Sequence, residues 1–275
     1  MTRTPEEQAA VERFTRIYRV AQAPLMMQLE RHVCGCDYGA TSWTTRKEAE
    51  ELIRLLDLAP GKRYLDVGSG SGWPALYLAD TSGCDATLVD IPVDALRIAR
   101  DRADSDDKAG LRWMAAADGA SLPFRDDCFD AIGHSDVLCC LPAKRDMLRE
   151  CRRVLRPGAI MVFTVIRIAS GLSDADYERA AETGPPFVKA DGEYPELLSQ
   201  SGWRVEDCRD LTETYADTLA CCIKAEESHA GELSALLGET VYDERIARRR
   251  RAAKGVEAGY LRREIFVATR APSRC

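Results

Sequence analysis

The chain of 275 residues lacks any long hydrophobic run. Its longest strongly apolar stretch, Ala159 to Ile166, is strand-sized and far short of the ~18 apolar residues a membrane helix needs. A basic excess is also missing. With 38 Lys and Arg against 45 Asp and Glu, the formal charge is −7, which disfavours a protein whose main business is gripping phosphate backbones. No apolar segment opens the sequence MTRTPEEQAAVERF, so no secretory signal is expected and a cytoplasmic location is. Histidine is scarce: His32, His134 and His229 only. The 11 cysteines are too sparse for a disulfide scaffold, and no two CxxC pairs occur, so free thiols and no metal are expected. There is no internal repeat and no low-complexity linker.

What is present is an ordinary globular composition, 45% hydrophobic and 30% charged, arranged as alternating strand-like and helical segments. Strands are predicted at 63–68, 86–90, 111–118, 129–136, 159–166, 203–211 and 260–270. Helices are predicted at 44–58, 73–80, 92–104, 143–155 and 194–202, with the fourth closed by Arg156-Pro157-Gly158. Residues 167–193 read as loop plus a short helix. The fold class expected is α/β, a doubly wound, mostly parallel sheet of seven strands with helical lid segments. Four parts follow: an N-terminal helical lid over 1–45, a core over 46–211, a second helical lid over 212–257, and a terminal strand over 258–275 that completes the sheet.

The sharpest motif is Asp66-Val67-Gly68-Ser69-Gly70-Ser71-Gly72, at the carboxyl end of the first strand. Open α/β sheets bind ligands at this edge. Dinucleotide folds space their glycines G-x-G-x-x-G to seat a pyrophosphate. Here the spacing is G-x-G-x-G, and a carboxylate precedes it that suits a cationic group, so a nicotinamide oxidoreductase is disfavoured. Asp90 closes the second strand, where an acid can accept both hydroxyls of a ribose. Asp118 closes the third, where it can accept from a purine amine. Amine, ribose and adenine together describe S-adenosylmethionine.

On these residues the chain resembles the class I S-adenosylmethionine-dependent methyltransferases, from about Leu52 to Leu211 plus the terminal strand. The resemblance rests on LDVGSGSG at 65–72, the acid of LVDI at 88–91, the block over 117–132 and LRECRRVLRPGA at 148–159. The last block resembles the small-molecule subgroup that includes quinone-biosynthesis and sterol methyltransferases. The resemblance implies a Rossmann-like sheet whose last strand is antiparallel, S-adenosylmethionine as cofactor, S-adenosylhomocysteine as product, and a small-molecule acceptor. It also implies cofactor-binding roles for Asp66, Gly68, Gly70, Gly72, Asp90, Ile91, Asp118, Gly119, His134 and Ser135. In the segment CDYGATSWTTRKEAE, Trp43 and Thr44 would close over the cofactor. His134 and Tyr38 are the candidate catalytic bases, with His134 equally readable as a pocket wall.

Other readings stay open. The pairs Cys34/Cys36, Cys139/Cys140 and Cys221/Cys222 fit an arsenite or other thiophilic methyltransferase, or ordinary packing. The run Arg248–Arg251, with Arg245 and Lys254, fits a substrate anion, RNA in an RNA methyltransferase, or a solvated helix face. A non-catalytic cofactor-binding module would share the same motifs. The expected partner is a small molecule, with no nucleic acid and no membrane, on a monomer or homodimer.

Overall fold

The computed structural model describes residues 4–39, 41–105 and 111–271. Helix α1, Pro5–Ala21, starts at a reciprocal cap: Thr4 Oγ1 accepts from Glu7 N, and the Glu7 carboxylate accepts from Thr4 N. Helix α2, Pro24–Cys34, stops at left-handed Gly35. A second capping box, Thr45 with Glu48, starts α3, Arg46–Leu55.

The alternation read from the sequence then follows. Strand β1 (Arg63–Val67), helix α4 (Ala75–Ser82), β2 (Asp85–Asp90), α5 (Val93–Ser105), β3 (Leu111–Ala116), β4 (Phe129–Ser135), α6 (Lys144–Val154) and β5 (Leu155–Ile168) come in order. After them come α7 (Asp174–Thr183), α8 (Tyr194–Gln200), β6 (Trp203–Asp210), α9 (Thr212–Ser228), α10 (Ala230–Leu237), α11 (Glu239–Glu257) and β7 (Leu261–Arg270).

The sheet order is β3-β2-β1-β4-β5-β7-β6. The first five strands pair in parallel, and β7 runs antiparallel between β5 and β6. Order reverses between β1 and β4, the switch point where such sheets open a crevice. Pairing of Val67 with Val89, and of Val89 with Ala115, levels the carboxyl ends of β1, β2 and β3 at that crevice.

Strand alternation sorts the core into two layers. Leu65, Val67, Ile132 and Phe163 face α6 and α8 on one side, and Tyr64, Leu88, Ala131 and Val162 face α4 and α5 on the other. A small third cluster, Met26, Leu29, Ala225 and Leu233, joins α2 to α9 and α10. The two segments outside the sheet therefore pack on each other.

Three details differ from the sequence reading. The predicted helical stretch 212–257 is three helices, broken at His229 and at Gly238, whose φ of +87° no continuing helix adopts. Arg156-Pro157-Gly158 lie inside β5: Leu155 already pairs with Phe129, and the register shifts before Ile160 meets Ala131. The turn-forming residues survive as an irregularity in a continuous strand, with Gly158 at φ +76°. Among the described residues of the first 45, only those of α1 and α2 are helical. No described helix is long and apolar enough to cross a membrane.

Candidate functional site

Beyond β1 the chain folds back on β2, with Gly68 N and Ser69 N both donating to Val89 O at 2.7 and 3.0 Å. Gly68 and Gly70 sit at φ +76° and +53°, and a Cβ on them would lie 2.5 Å from Val137 Cγ2 and 2.6 Å from the Tyr18 hydroxyl. Bare backbone is what lets the surrounding walls approach this turn. Gly72 has a different task. A Cβ there would strike Leu76 and come within 3.3 Å of Ala99, so it packs the turn onto α4 and α5. It does not line the crevice.

Three carboxylates stand round the turn. Asp66 is buried and lines the crevice. Its Oδ1 accepts from the Tyr64 hydroxyl at 3.4 Å, and its Oδ2 has no partner among the described residues. Burial raises its pKa well above the usual carboxylate range. Asp90 accepts from Gly70 N at 2.6 Å and from Ile91 N at 2.7 Å. Burial pushes it up to about 6, against the lowering effect of those two amides. Asp118 caps the next turn, accepting from Ala120 N at 2.9 Å, and also lines the crevice.

The crevice is open at its mouth, and its free space counted out into solvent there is about 1400 Å³. Asp66, Gly68, Gly70, Asp90, Ile91, Asp118, Gly119, Ser135 and Trp43 all line it. Besides Gly72, three expected residues do not. His134 is one residue out of phase with Ser135 on β4, so its ring points into the core, 4.6 Å from Phe163 in a stacked pair. Neither ring nitrogen has a partner among the described residues, and burial pulls the ring down to about 3. Its ring does not line the crevice. Tyr38 lies against Trp73 at 5.2 Å and under the Arg102 guanidinium at 4.5 Å, and it does not line the crevice. Thr44 is fully buried, accepting from Ser42 Oγ at 2.9 Å, while its carbonyl takes the Trp73 indole N–H at 2.8 Å. Thr41 and Ser42 take the place at the crevice expected for it.

The sequence reading missed the contribution of α1. Phe14 and Tyr18 line the crevice, and Tyr18 shares a hydrogen bond with Thr41 Oγ1 at 3.2 Å. Their spacing of four on an amphipathic helix was the available signal, since it puts both rings on one face.

Past Thr41, Ser42, Trp43 and Cys140 the crevice meets a second cavity of about 1790 Å³, with which it shares those residues. Apolar side chains Ile17, Met26, Leu29, Val33 and Leu219 form much of it. Cys34, Cys140 and Cys222 reach it as well, but among the described residues no group of three His, Cys, Asp or Glu side chains is placed to hold a metal ion. The thiophilic reading gains nothing from this. The arginine run is no plain solvated face: Arg245, Arg248, Arg249 and Arg251 line this second cavity, and Arg250 instead pairs with Glu227 at 2.7 Å.

A doubly wound sheet in this order, with an antiparallel seventh strand and acids at the ends of β1, β2 and β3, is the class I methyltransferase fold. Residues 65–163 match the methyltransferase domain family. Among curated relatives, the methyltransferase GfsG of Streptomyces halstedii is 30% identical over 62% of this chain and 62% of its own length. The 27-O-demethylrifamycin SV methyltransferase of Amycolatopsis mediterranei is 32% identical over 62% of this chain and 64% of its own. The chain thus spans less than two thirds of the length of these relatives. Among solved structures, Haemonchus contortus phosphoethanolamine N-methyltransferase 2, in complex with phosphomonomethylethanolamine and S-adenosylhomocysteine, superposes with a TM-score of 0.75 at 17% identity, covering 94% of this chain and 61% of that one.

Proposed function

We propose that the chain transfers the sulfonium methyl group of S-adenosylmethionine to a small, enclosed acceptor by in-line displacement. One observation carries the reading: Asp66, which has a buried oxygen without a hydrogen-bond partner among the described residues, lines the same crevice as Asp90 and Asp118. A buried acceptor atom with no donor is costly unless a ligand supplies one. Asp66 would take the amine of the methionine part, Asp90 the ribose hydroxyls, and Asp118 the adenine edge, with Ile91 against the base. Gly68 and Gly70 would let the methionine part lie on bare backbone, and Ser135 and Trp43 would bound it. When bound, the cofactor supplies a methyl group already activated by positive sulfur. The chain's part is then to align the acceptor and exclude water. Helices α1, α9 and α11 supply that cover, and the acceptor would occupy the second cavity, entering the crevice past Thr41 and Cys140. Among the described residues no histidine lines either cavity, which suits a nucleophile that needs little help in losing a proton. A cytoplasmic enzyme working as monomer or homodimer completes this reading.

Calorimetric titration with S-adenosylmethionine, S-adenosylhomocysteine and NAD in parallel is the test. Micromolar binding of the two sulfur nucleosides and none of NAD is expected. In Asp90→Ala, loss of the charge-assisted bonds, about 1.5–3 kcal/mol each, should weaken binding at least tenfold while circular dichroism stays unchanged. Wild-type affinity in that variant would overturn the assignment.

A further inference from the structure

The second cavity is amphipathic, and its polar part is cationic beyond what its own carboxylates neutralise. Five guanidiniums line it, from Arg13, Arg245, Arg248, Arg249 and Arg251, against three carboxylates, from Glu30, Glu182 and Glu226. Two of those carboxylates are engaged. Glu226 holds Arg245 Nη2 at 2.7 Å and Arg249 Nε at 2.8 Å. Glu30 accepts from Gly39 N at 2.6 Å. Arg13, on α1, and Arg248 and Arg251, on α11, have no ion pair or hydrogen bond among the described residues. The Arg13 guanidinium lies over the Phe14 ring, at 4.8 Å.

Gathering unpaired like charges at one cavity costs energy unless something of opposite sign enters. Arg248 feels this most. Burial comes first, then the charges of Arg13, Arg249, Arg245 and Arg251, and together they push its pKa down to about 10. Arg245, Arg248 and Arg249 are three and four apart on α11, so they share the helix face that borders the cavity, with Arg245 and Arg249 partly buried and Arg248 exposed. Guanidinium forks match carboxylate and phosphate oxygens. The rest of the wall is largely apolar, with Ile17, Met26, Leu29, Val33 and Leu219.

We propose that the second cavity binds an amphipathic anion, an apolar body carrying a carboxylate or phosphate, whose acidic group is clamped between Arg13 of α1 and Arg248 of α11. Resting on the proposed methyl transfer, this anion is the methyl acceptor, and its acidic group is an anchor remote from the atom that is methylated. An anion held by both helices also ties the two covering segments together over the site.

The test uses octanoate, octyl phosphate and octanol, each titrated by calorimetry into the full chain in the presence of S-adenosylhomocysteine. The two anions should bind at least tenfold more tightly than octanol, and the tighter of the two identifies the acidic group. In Arg13→Gln/Arg248→Gln that advantage should fall to less than threefold, with octanol unaffected. Arg250→Gln, at an exposed position outside the cavity, should behave as wild type. The single variant Arg248→Gln, expected to lose at least half of the advantage on a logarithmic scale, serves should the double variant fold poorly. Equal affinities for the anions and octanol would overturn the proposal, as would an advantage that survives the double substitution or is lost equally in Arg250→Gln. S-Adenosylhomocysteine binding, measured separately on each variant, distinguishes failure of this subsite from failure of the methyl-transfer reading.

Discussion

At the scale of single residues, the proposed function turns on one carboxylate whose ionisation is poised near physiological pH. Asp90 has a folded pKa of about 6 against an ordinary 3.8. As pH falls, it takes up its proton in the folded chain before it would do so unfolded. Its contribution to the stability of the free chain therefore rises as pH falls through about 6, and is complete below 3.8. Ligand binding runs the other way, because hydroxyls donate best to the ionised acid. Affinity for S-adenosylhomocysteine is expected to fall about tenfold per pH unit below 6 from this group, and the step near 6 should vanish in Asp90→Asn. A wild-type step retained in that variant would assign it to another group. The acid itself was legible in the sequence, because strand length and the glycine turn fix where β2 ends. His134 was not, for a physical reason. Parity along a strand is decided by which face the neighbouring helices cover, and one residue of error exchanges the cavity for the core.

At the scale of elements, β7 does more than close the sheet. Its Arg263 is fully buried and bridges three elements, with Nε to Asp136 Oδ1 at 3.1 Å, Nη1 to Glu48 Oε1 at 2.6 Å and Nη2 to Thr164 Oγ1 at 3.4 Å. Asp136 lines the crevice just past β4, in a left-handed conformation at φ +56°, and the guanidinium holds its carboxylate there. Glu48 belongs to the capping box of α3, so the same arginine ties the start of α3 to the sheet. Removing it leaves two carboxylates near each other without their cation. Arg263→Ala should cost about 3–5 kcal/mol, read as a lower urea midpoint. Its neighbour Arg262, half exposed beside Asp210, should cost less than about 0.5 kcal/mol when changed to alanine. Equal losses in the two variants would mean that β7 is held by its backbone ladder and not by this network. The sequence YLRREIFVATR announced a strand by its alternation. It could not announce which of two adjacent arginines would lie in the interior, since that depends on β5 and β6 flanking it on both sides.

At the scale of the whole molecule, the sheet and its helices were readable from periodicity and turn residues, because each of those elements buries its own face locally. The covers were only half readable. Their helical character shows in the sequence, but where they dock depends on contacts between segments some 200 residues apart, such as Met26 and Leu29 of α2 against Ala225 and Leu233. Helix α1 is lightly anchored. Only Tyr18 and Ala21 of its 17 residues are buried, and none of its side chains belongs to the two main clusters of the core. It nonetheless supplies Phe14 and Tyr18 to the crevice and Arg13 to the second cavity. An element that is sparsely buried in the free chain but lined up against two ligand spaces should open easily and tighten on binding. Amide hydrogen exchange over Pro5–Ala21 is therefore expected to slow several-fold when S-adenosylhomocysteine is added, with β1, β4 and β5 nearly unchanged. Exchange over α1 that is already as slow as in the sheet, and indifferent to the ligand, would make this helix a fixed wall. The cover that moves would then have to be sought in α11, where Arg248 faces the same space from the other side.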